Sequence, residues 1–341
     1  VAVGRVADAT PNHSSLLKES VVSTSLINSA EFERRTHEKL LRDFGPVLAS
    51  ALEDPRTIEV LLNPDGRLWQ ECLGEPMRCI GHIDRAHGDA IIKTVASHLG
   101  KEVTHQTPLL EGELPPHGAR FAGQVPPVVP SPTFAIRKAA IKRVALEDYV
   151  AEGMLEQRQC AALMDAIAAH RNVLVVGGTG SGKTTFVNAL IAHMVTVAPD
   201  ERLVILEDTR EIRCAAENSV QYHTSQTVTM TELLRTTLRM RPDRILVGEV
   251  RGPEALDLLM AWNTGHEGGA ATIHANNARA GLVRLEMLIS MHRDAPARIE
   301  PLIAEAVDVI VHIARTPGGR RVKEVLQVTG FSADGYCTQP L

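Results

Sequence analysis

The stretch Gly177-Gly178-Thr179-Gly180-Ser181-Gly182-Lys183-Thr184 satisfies G-x-x-x-x-G-K-[ST] at every fixed position. Val173 to Val176 in front of it is an apolar run of buried-strand length, and Thr185 to Val195 behind it carries apolar residues at helical spacing. Strand, glycine-rich turn and helix in that order leave few folds open. The glycines let the backbone close around phosphate oxygens, and the free N–H groups and positive dipole end of the following helix face the anion. Lys183 is placed to reach β- and γ-phosphates, Thr184 to ligate Mg²⁺ through its hydroxyl, and Thr185 continues the phosphate-facing stretch. The pattern predicts a chain that binds and hydrolyses a nucleoside triphosphate.

A length of 341 residues exceeds what one core usually holds, so two domains are expected. Residues 1–28, rich in Ser, Thr, Asn and Ala, read as an N-terminal arm. Residues 29–137 read as an α+β domain: a helix over Glu31 to Leu52, a strand at Ile58–Leu62, a turn at Asn63-Pro64-Asp65-Gly66, a returning strand at Leu68–Glu71, a helix over Asp89–Leu99, strand-like pieces near Phe121 and Val128, and a strand at Phe134–Arg137. Residues 138–150 read as a linker. Residues 151–331 alternate helices with short apolar strands at Leu203–Leu206, Ile245–Val247 and Ala270–Ile273. They end in a hairpin around Pro317-Gly318-Gly319, with 332–341 as a tail. That alternation, with the phosphate loop, predicts an α/β P-loop domain with a mostly parallel sheet covered on both faces.

Composition narrows the function. Apolar residues make up 44% and charged residues 23% of the chain, which is globular. The net charge of −5 and the 3% aromatic content argue against a basic, stacking surface for single-stranded nucleic acid, so no direct nucleic-acid contact is expected. No run of 18 apolar residues occurs and no secretory signal is visible at the start, which predicts a cytoplasmic protein. The five cysteines form no C-x-x-C pair, which supports neither a zinc ribbon nor a disulfide framework.

In sheet nucleotidases, acids at the C-terminal ends of neighbouring strands organise Mg²⁺ and the attacking water. Leu203–Leu206 delivers Glu207-Asp208, and Ile245–Val247 delivers Gly248-Glu249. A glutamate at the second end suits ordering a water, or accepting its proton, better than direct metal ligation. In Thr264–Ala275, two histidines and three glycines bracket a short strand. His274 ends that strand where a γ-phosphate sensor would sit, and His266 is read as a functional histidine beside it, whereas His292 and His312 read as structural. Arg235, Arg239, Arg241, Arg244 and Arg251 form a basic cluster, read as interface or phosphate contacts.

Taken together, the phosphate loop, Leu203–Asp208, Arg239–Arg251 and Thr264–Ala275 resemble the Walker A, Asp box, Walker B and His box of the bacterial secretion "traffic" ATPases of type II and type IV secretion and pilus systems. Asn63-Pro64-Asp65-Gly66 with Trp69, Pro108-Leu109-Leu110, Leu114-Pro115, Gly118-Ala119-Arg120 and Phe134-Ala135-Ile136-Arg137 resemble its conjugal-transfer, TrbB-like branch. The tetracysteine module of extension ATPases and the Ala-Ile-Arg-Asn-Leu-Ile-Arg-Glu motif of retraction motors are both missing, which points the same way. The resemblance implies a RecA-like P-loop C-terminal domain after the α+β N-terminal domain, and a homohexameric ring that hydrolyses ATP with Mg²⁺, the nucleotide lying between the N-terminal and C-terminal domains. It implies Glu249 as the water-activating acid, Glu207 assisting metal and water, and Arg120 and Arg137 on the phosphates, beside the loop residues Gly177 to Thr185 and with His266 and His274. It further implies work at the cytoplasmic face of the inner membrane among other parts of a transfer or pilus apparatus. The alternatives are a RecA-like nucleic-acid translocase and a nucleotide-regulated assembly scaffold.

Overall fold

A computed structural model describes residues 38–114, 118–138, 145–225 and 227–341. The expected arm over residues 1–28, the first residues of the expected helix from Glu31, and residues 139–144 of the expected linker lie outside these. Contacts divide the chain into two units, Val1–Ala139 and Ala140–Leu341.

In the first unit, helix α1 (38–53) leads into an antiparallel sheet of strands β1 (Thr57–Leu62), β2 (Arg67–Cys72), β3 (Arg78–His82), β4 (Leu109–Leu114), β5 (Ala119–Gln124) and β6 (Thr133–Arg137), in the order β3-β2-β1-β6-β5-β4. Helix α2 (Arg85–His98) follows β3, its first turn capped by Asp84, whose carboxylate accepts from the His87 N–H. Period-2 alternation turns Val60, Leu62, Phe121, Phe134 and Ile136 toward Phe44 and Leu48 of α1 and Ile91, Ile92 and Val95 of α2. Each such fully buried side chain contributes about 1.5–3 kcal/mol relative to exposure. Gly66 makes the β1–β2 turn at φ +82°, its N–H bonded to Asn63 O. Two strands in the Pro/Gly-rich stretch were only partly expected: β5 surrounds Phe121, but Val128 lies in a turn and β4 precedes it.

The second unit contains α3 (Leu146–Ala151), α4 (Gln157–Ala168), β7 (Val173–Val176), α5 (Lys183–Val197), β8 (Leu203–Glu207), β9 (Ser219–His223), α6 (Met230–Thr237), β10 (Arg244–Val247), α7 (Glu254–Trp262), β11 (Ala270–Ile273), α8 (Ala278–Ser290), α9 (Glu300–Ala306), β12 (Val309–Thr316), β13 (Gly319–Ser332) and β14 (Gly335–Pro340). The sheet order is β14-β13-β12-β7-β11-β10-β8-β9. From β12 to β9 every pairing is parallel, and β13 and β14 add antiparallel strands at one edge. Alternate residues of β7, Leu174 and Val176 against Val173 and Val175, enter separate cores on the two faces, so the strand reads as unbroken hydrophobicity. Helices α6 to α9 cover one face, α3 to α5 the other. Two boundaries differ from the sequence expectation. The residues expected as a linker include α3, whose Leu146 and Tyr149 are buried, and those expected as a tail form β14, paired to β13.

Among the described residues, no helix is long and apolar enough to cross a membrane. All five cysteines are free.

Candidate nucleotide site

The phosphate loop leaves β7 at Val176, where β11 (Ile273) and β12 (His312) flank it in register. Gly180 and Gly182 take φ of +69° and +99°, a region closed to most side chains. A Cβ on Gly177 would collide with Ile313 O and Ser181 Oγ. Lys183, at the start of α5 and only 7% exposed, turns its ammonium back over the loop and donates to Gly177 O (3.0 Å) and Gly178 O (3.1 Å). The Ser181 hydroxyl is buried within the loop without a hydrogen-bond partner among the described residues.

From Lys183 a line of polar contacts crosses the strand ends. Its Nζ lies 3.3 Å from His274 Nδ1. His274 Nε2 lies 3.0 Å from Glu249 Oε1, and Glu249 Oε2 accepts from Arg251 Nη2 at 2.8 Å. Arg251 Nη1 ends the line on Asp208 Oδ2 at 3.3 Å. An ammonium only donates, so Nδ1 is the acceptor and Nε2 carries the ring proton: His274 is assigned the neutral tautomer that donates to Glu249. Burial and the Lys183 charge push its pKa below the ordinary imidazole value, against the pull of Glu249. For Glu249 burial pushes upward, but the hydrogen bond and charge of Arg251, joined by His274 and Lys183, outweigh it and hold the carboxyl below the usual range. Glu249 is therefore ionised at neutral pH.

The strands fix this geometry. Glu249 follows β10, where Gly248 N–H donates to Leu206 O, Thr272 Oγ1 donates to Gly248 O (2.6 Å) and Val250 N–H donates to Thr272 O. His274 follows β11 and lies just before α8. The Asn277 carboxamide oxygen caps that helix by accepting from Ala280 N–H, and Glu324 on β13 accepts from Ala278 N–H.

Glu207 turns inward from the end of β8. Its side chain is buried, and Oε1 accepts the backbone N–H groups of Glu211 (3.0 Å) and Ile212 (2.8 Å). It packs so tightly on Gly248 that a Cβ there would stand 2.9 Å from Glu207 Cγ. The loop it folds back carries Glu211, whose Oε2 accepts from Thr184 Oγ1 at 2.8 Å. Asn188 of α5 grips the same loop, donating to Glu211 O and accepting from Arg213 N–H. Glu211, which sequence reasoning passed over, is thus the carboxylate brought to the Thr184 hydroxyl. The one signal for it was an acid four residues beyond Glu207.

The histidine segment divides. Its Thr264–Gly269 half lies where β11 begins, and His274 where it ends, so His266 and His274 stand at opposite ends of that strand. His266 Nδ1 bonds Pro242 O at 3.1 Å. Beside it Arg244, with a side chain 1% exposed, bonds Glu201, Ile167 O and Gly268 O and meets His170. The structure does not bring His266 to the phosphate loop within this chain. Among the cluster arginines, Arg235, Arg244 and Arg251 have internal carboxylate partners in Asp257, Glu201, and Glu249 with Asp208. His292 and His312 pair with Asp257 and Glu324. In the first unit, Arg120 of β5 and Arg137 of β6 are register partners, in one row with Glu113 of β4 and Glu59 of β1. Thr185 is half-buried in the first turn of α5.

The family described as Type II/IV secretion system protein matches residues 96–335. A conjugal transfer protein TrbB of Rhizobium radiobacter is 48% identical over 309 residues, covering 89% of this chain and 95% of the relative. The type IV secretion system protein PtlH of Bordetella pertussis is 33% identical over 81% of this chain and 91% of its own. The fold is shared with the Legionella pneumophila ATPase DotB, at 20% identity and a TM-score of 0.60 over 82% of this chain and 79% of that one. The fold also matches the pilus retraction motor PilT with bound ADP, at 18% identity and a TM-score of 0.58 over 84% and 83%. The chain belongs to the type II/IV secretion system protein family, within its conjugal-transfer, TrbB-like branch.

Proposed function

We propose that this chain is the ATP-hydrolysing motor of a conjugative or type IV secretion apparatus. The observation that carries the reading is the unbroken path from the phosphate-loop lysine through neutral His274 to ionised Glu249. Names of the relatives, conjugal transfer and type IV secretion proteins, support the choice of machine.

Glu249 orients a water and takes its proton as the water oxygen attacks the γ-phosphorus and the bond to the β–γ bridging oxygen breaks, leaving ADP and phosphate. Lys183 neutralises charge on the transferring group. A γ-phosphate is a stronger acceptor than the Gly177 and Gly178 carbonyls, so it draws the ammonium off them and off His274 Nδ1. The ring is then free to reorient, and phosphate occupancy reaches Glu249 through one histidine. Thr184 and Glu211 supply the hard oxygen donors that suit Mg²⁺, with Glu207 holding Glu211 in place. Mg²⁺ held there would neutralise phosphate charge. Arg120 and Arg137, from the N-terminal domain, are proposed as further phosphate partners. The assembly is proposed as a homohexameric ring at the cytoplasmic face of the inner membrane, together with other components of the transfer machine.

The test is ATP hydrolysis by the purified chain across Mg²⁺, protein concentration and added DNA. Turnover that requires Mg²⁺, rises steeply with protein concentration and ignores DNA is expected. Turnover that depends on DNA would replace the secretion motor with a nucleic-acid translocase, and tight ATP binding without turnover would replace it with a scaffold.

A further inference from the structure

The groups assigned to water activation lie on one flank of the phosphate loop. Glu249 and His274 follow β10 and β11, on the β11 side of β7. The γ-phosphate is the terminal group, so with it turned toward those residues the inner phosphates would extend toward the opposite flank, where β12 pairs with β7 and β13 with β12. One arginine of that edge touches the loop. Arg320, at the start of β13 and half-buried, donates Nε–H to Gly180 O at 3.3 Å. Its Cδ would stand 3.0 Å from a Cβ on Gly182, so the side chain lies flat against the loop where φ is +99°. No described residue takes a hydrogen bond from its terminal guanidinium nitrogens. Its charge also bears on Tyr149 of α3, whose ring packs edge-on against Phe186 of α5 at 5.1 Å. The Arg320 side chain is therefore held against the loop, with the terminal nitrogens of its planar guanidinium unengaged among the described residues, as bidentate phosphate recognition requires.

We infer that Arg320 is a nucleotide-binding residue that contacts the inner phosphates, α and β, of a bound nucleoside di- or triphosphate from the β13 edge. The inference rests on the ATPase reading of the loop. The contact excludes the γ-phosphate, so it acts on ATP and ADP alike, and chiefly on ground-state binding. Its loss raises KM without a matching loss of kcat.

The experiment measures ATP and ADP binding by calorimetry, and kcat and KM for ATP, for the wild-type chain, Arg320→Ala and Arg320→Gln. Glutamine keeps a donor for Gly180 O but removes the charge. Both variants are expected to bind ATP and ADP about tenfold more weakly, by the same factor, a loss of ~1.4 kcal/mol, with kcat within about threefold of wild type. Unchanged affinity overturns the inference, as does a loss confined to ATP. Recovery by Arg320→Gln to wild-type affinity would make the residue a brace on the loop alone. A wild-type chain that binds neither nucleotide overturns the functional reading itself.

Discussion

Replacing Glu207 by alanine separates a metal ligand from a loop anchor. Oε1 accepts two backbone N–H groups, those of Glu211 and Ile212, and Ile212 is buried. Truncation leaves both donors without their acceptor. A buried donor left unsatisfied costs about 1–3 kcal/mol, and water can serve the half-buried Glu211 N–H, so the total is roughly 2–4 kcal/mol. The unit from Ala140 to Leu341 is about 200 residues long, a size at which 1 kcal/mol moves the unfolding midpoint by roughly 2–4 °C. Glu207→Ala is therefore expected to melt roughly 5–15 °C lower with no metal or nucleotide present. Glu207→Gln keeps a carbonyl oxygen toward both N–H groups and is expected to recover at least half of that loss. Thermal unfolding by circular dichroism in EDTA reads it. A Glu207→Ala chain that melts with wild type in EDTA and differs only once Mg²⁺ is added would refute the reasoning and return Glu207 to the metal.

Arg251→Ala removes the group that holds the Glu249 carboxyl below its ordinary range, leaving burial to push it upward. A base works only when ionised, so activity is lost as pH falls through its pKa. The acid limb of the kcat/KM profile is expected to move to higher pH, and an unmoved limb contradicts the base assignment. Glu211→Gln is expected to raise the Mg²⁺ concentration for half-maximal hydrolysis about tenfold while the melting temperature in EDTA stays within 2–3 °C, since Thr184 Oγ1 keeps an amide oxygen to donate to. Glu201→Ala strips the buried Arg244 guanidinium of its carboxylate and is expected to destabilise the second unit by about 3–5 kcal/mol, read by urea unfolding.

The parts of the site that were legible in sequence are those built within one turn of chain from a strand end. The loop from Gly177 to Thr184, the Glu249 position after β10 and His274 after β11 follow from an apolar run and what terminates it. Glu211 was not legible because its approach to Thr184, 27 residues away, depends on Glu207 turning inward to fold the intervening loop. Arg320 comes to Gly180 across 140 residues, through a hairpin whose register no local pattern states. His266 was read with His274 because both bracket the strand β11, but a strand carries its two ends apart, so only the histidine at its C-terminal end reaches the phosphate loop. β14 and β9 were missed as edge strands: Ser219, Gln221 and His223 alternate with only two apolar side chains, a weak period-2 signal.

The most direct test of the central claim compares wild type with Glu249→Gln in two assays on the same preparation, ATP binding and steady-state phosphate release. Glutamine preserves the shape and can still accept from His274 or Arg251, but it cannot serve as a carboxylate base. The account predicts ATP affinity within a few-fold of wild type and phosphate release reduced at least a hundredfold. Release at the wild-type rate would show that water is activated elsewhere and would contradict the path from Lys183 through His274 to Glu249 as the hydrolytic centre.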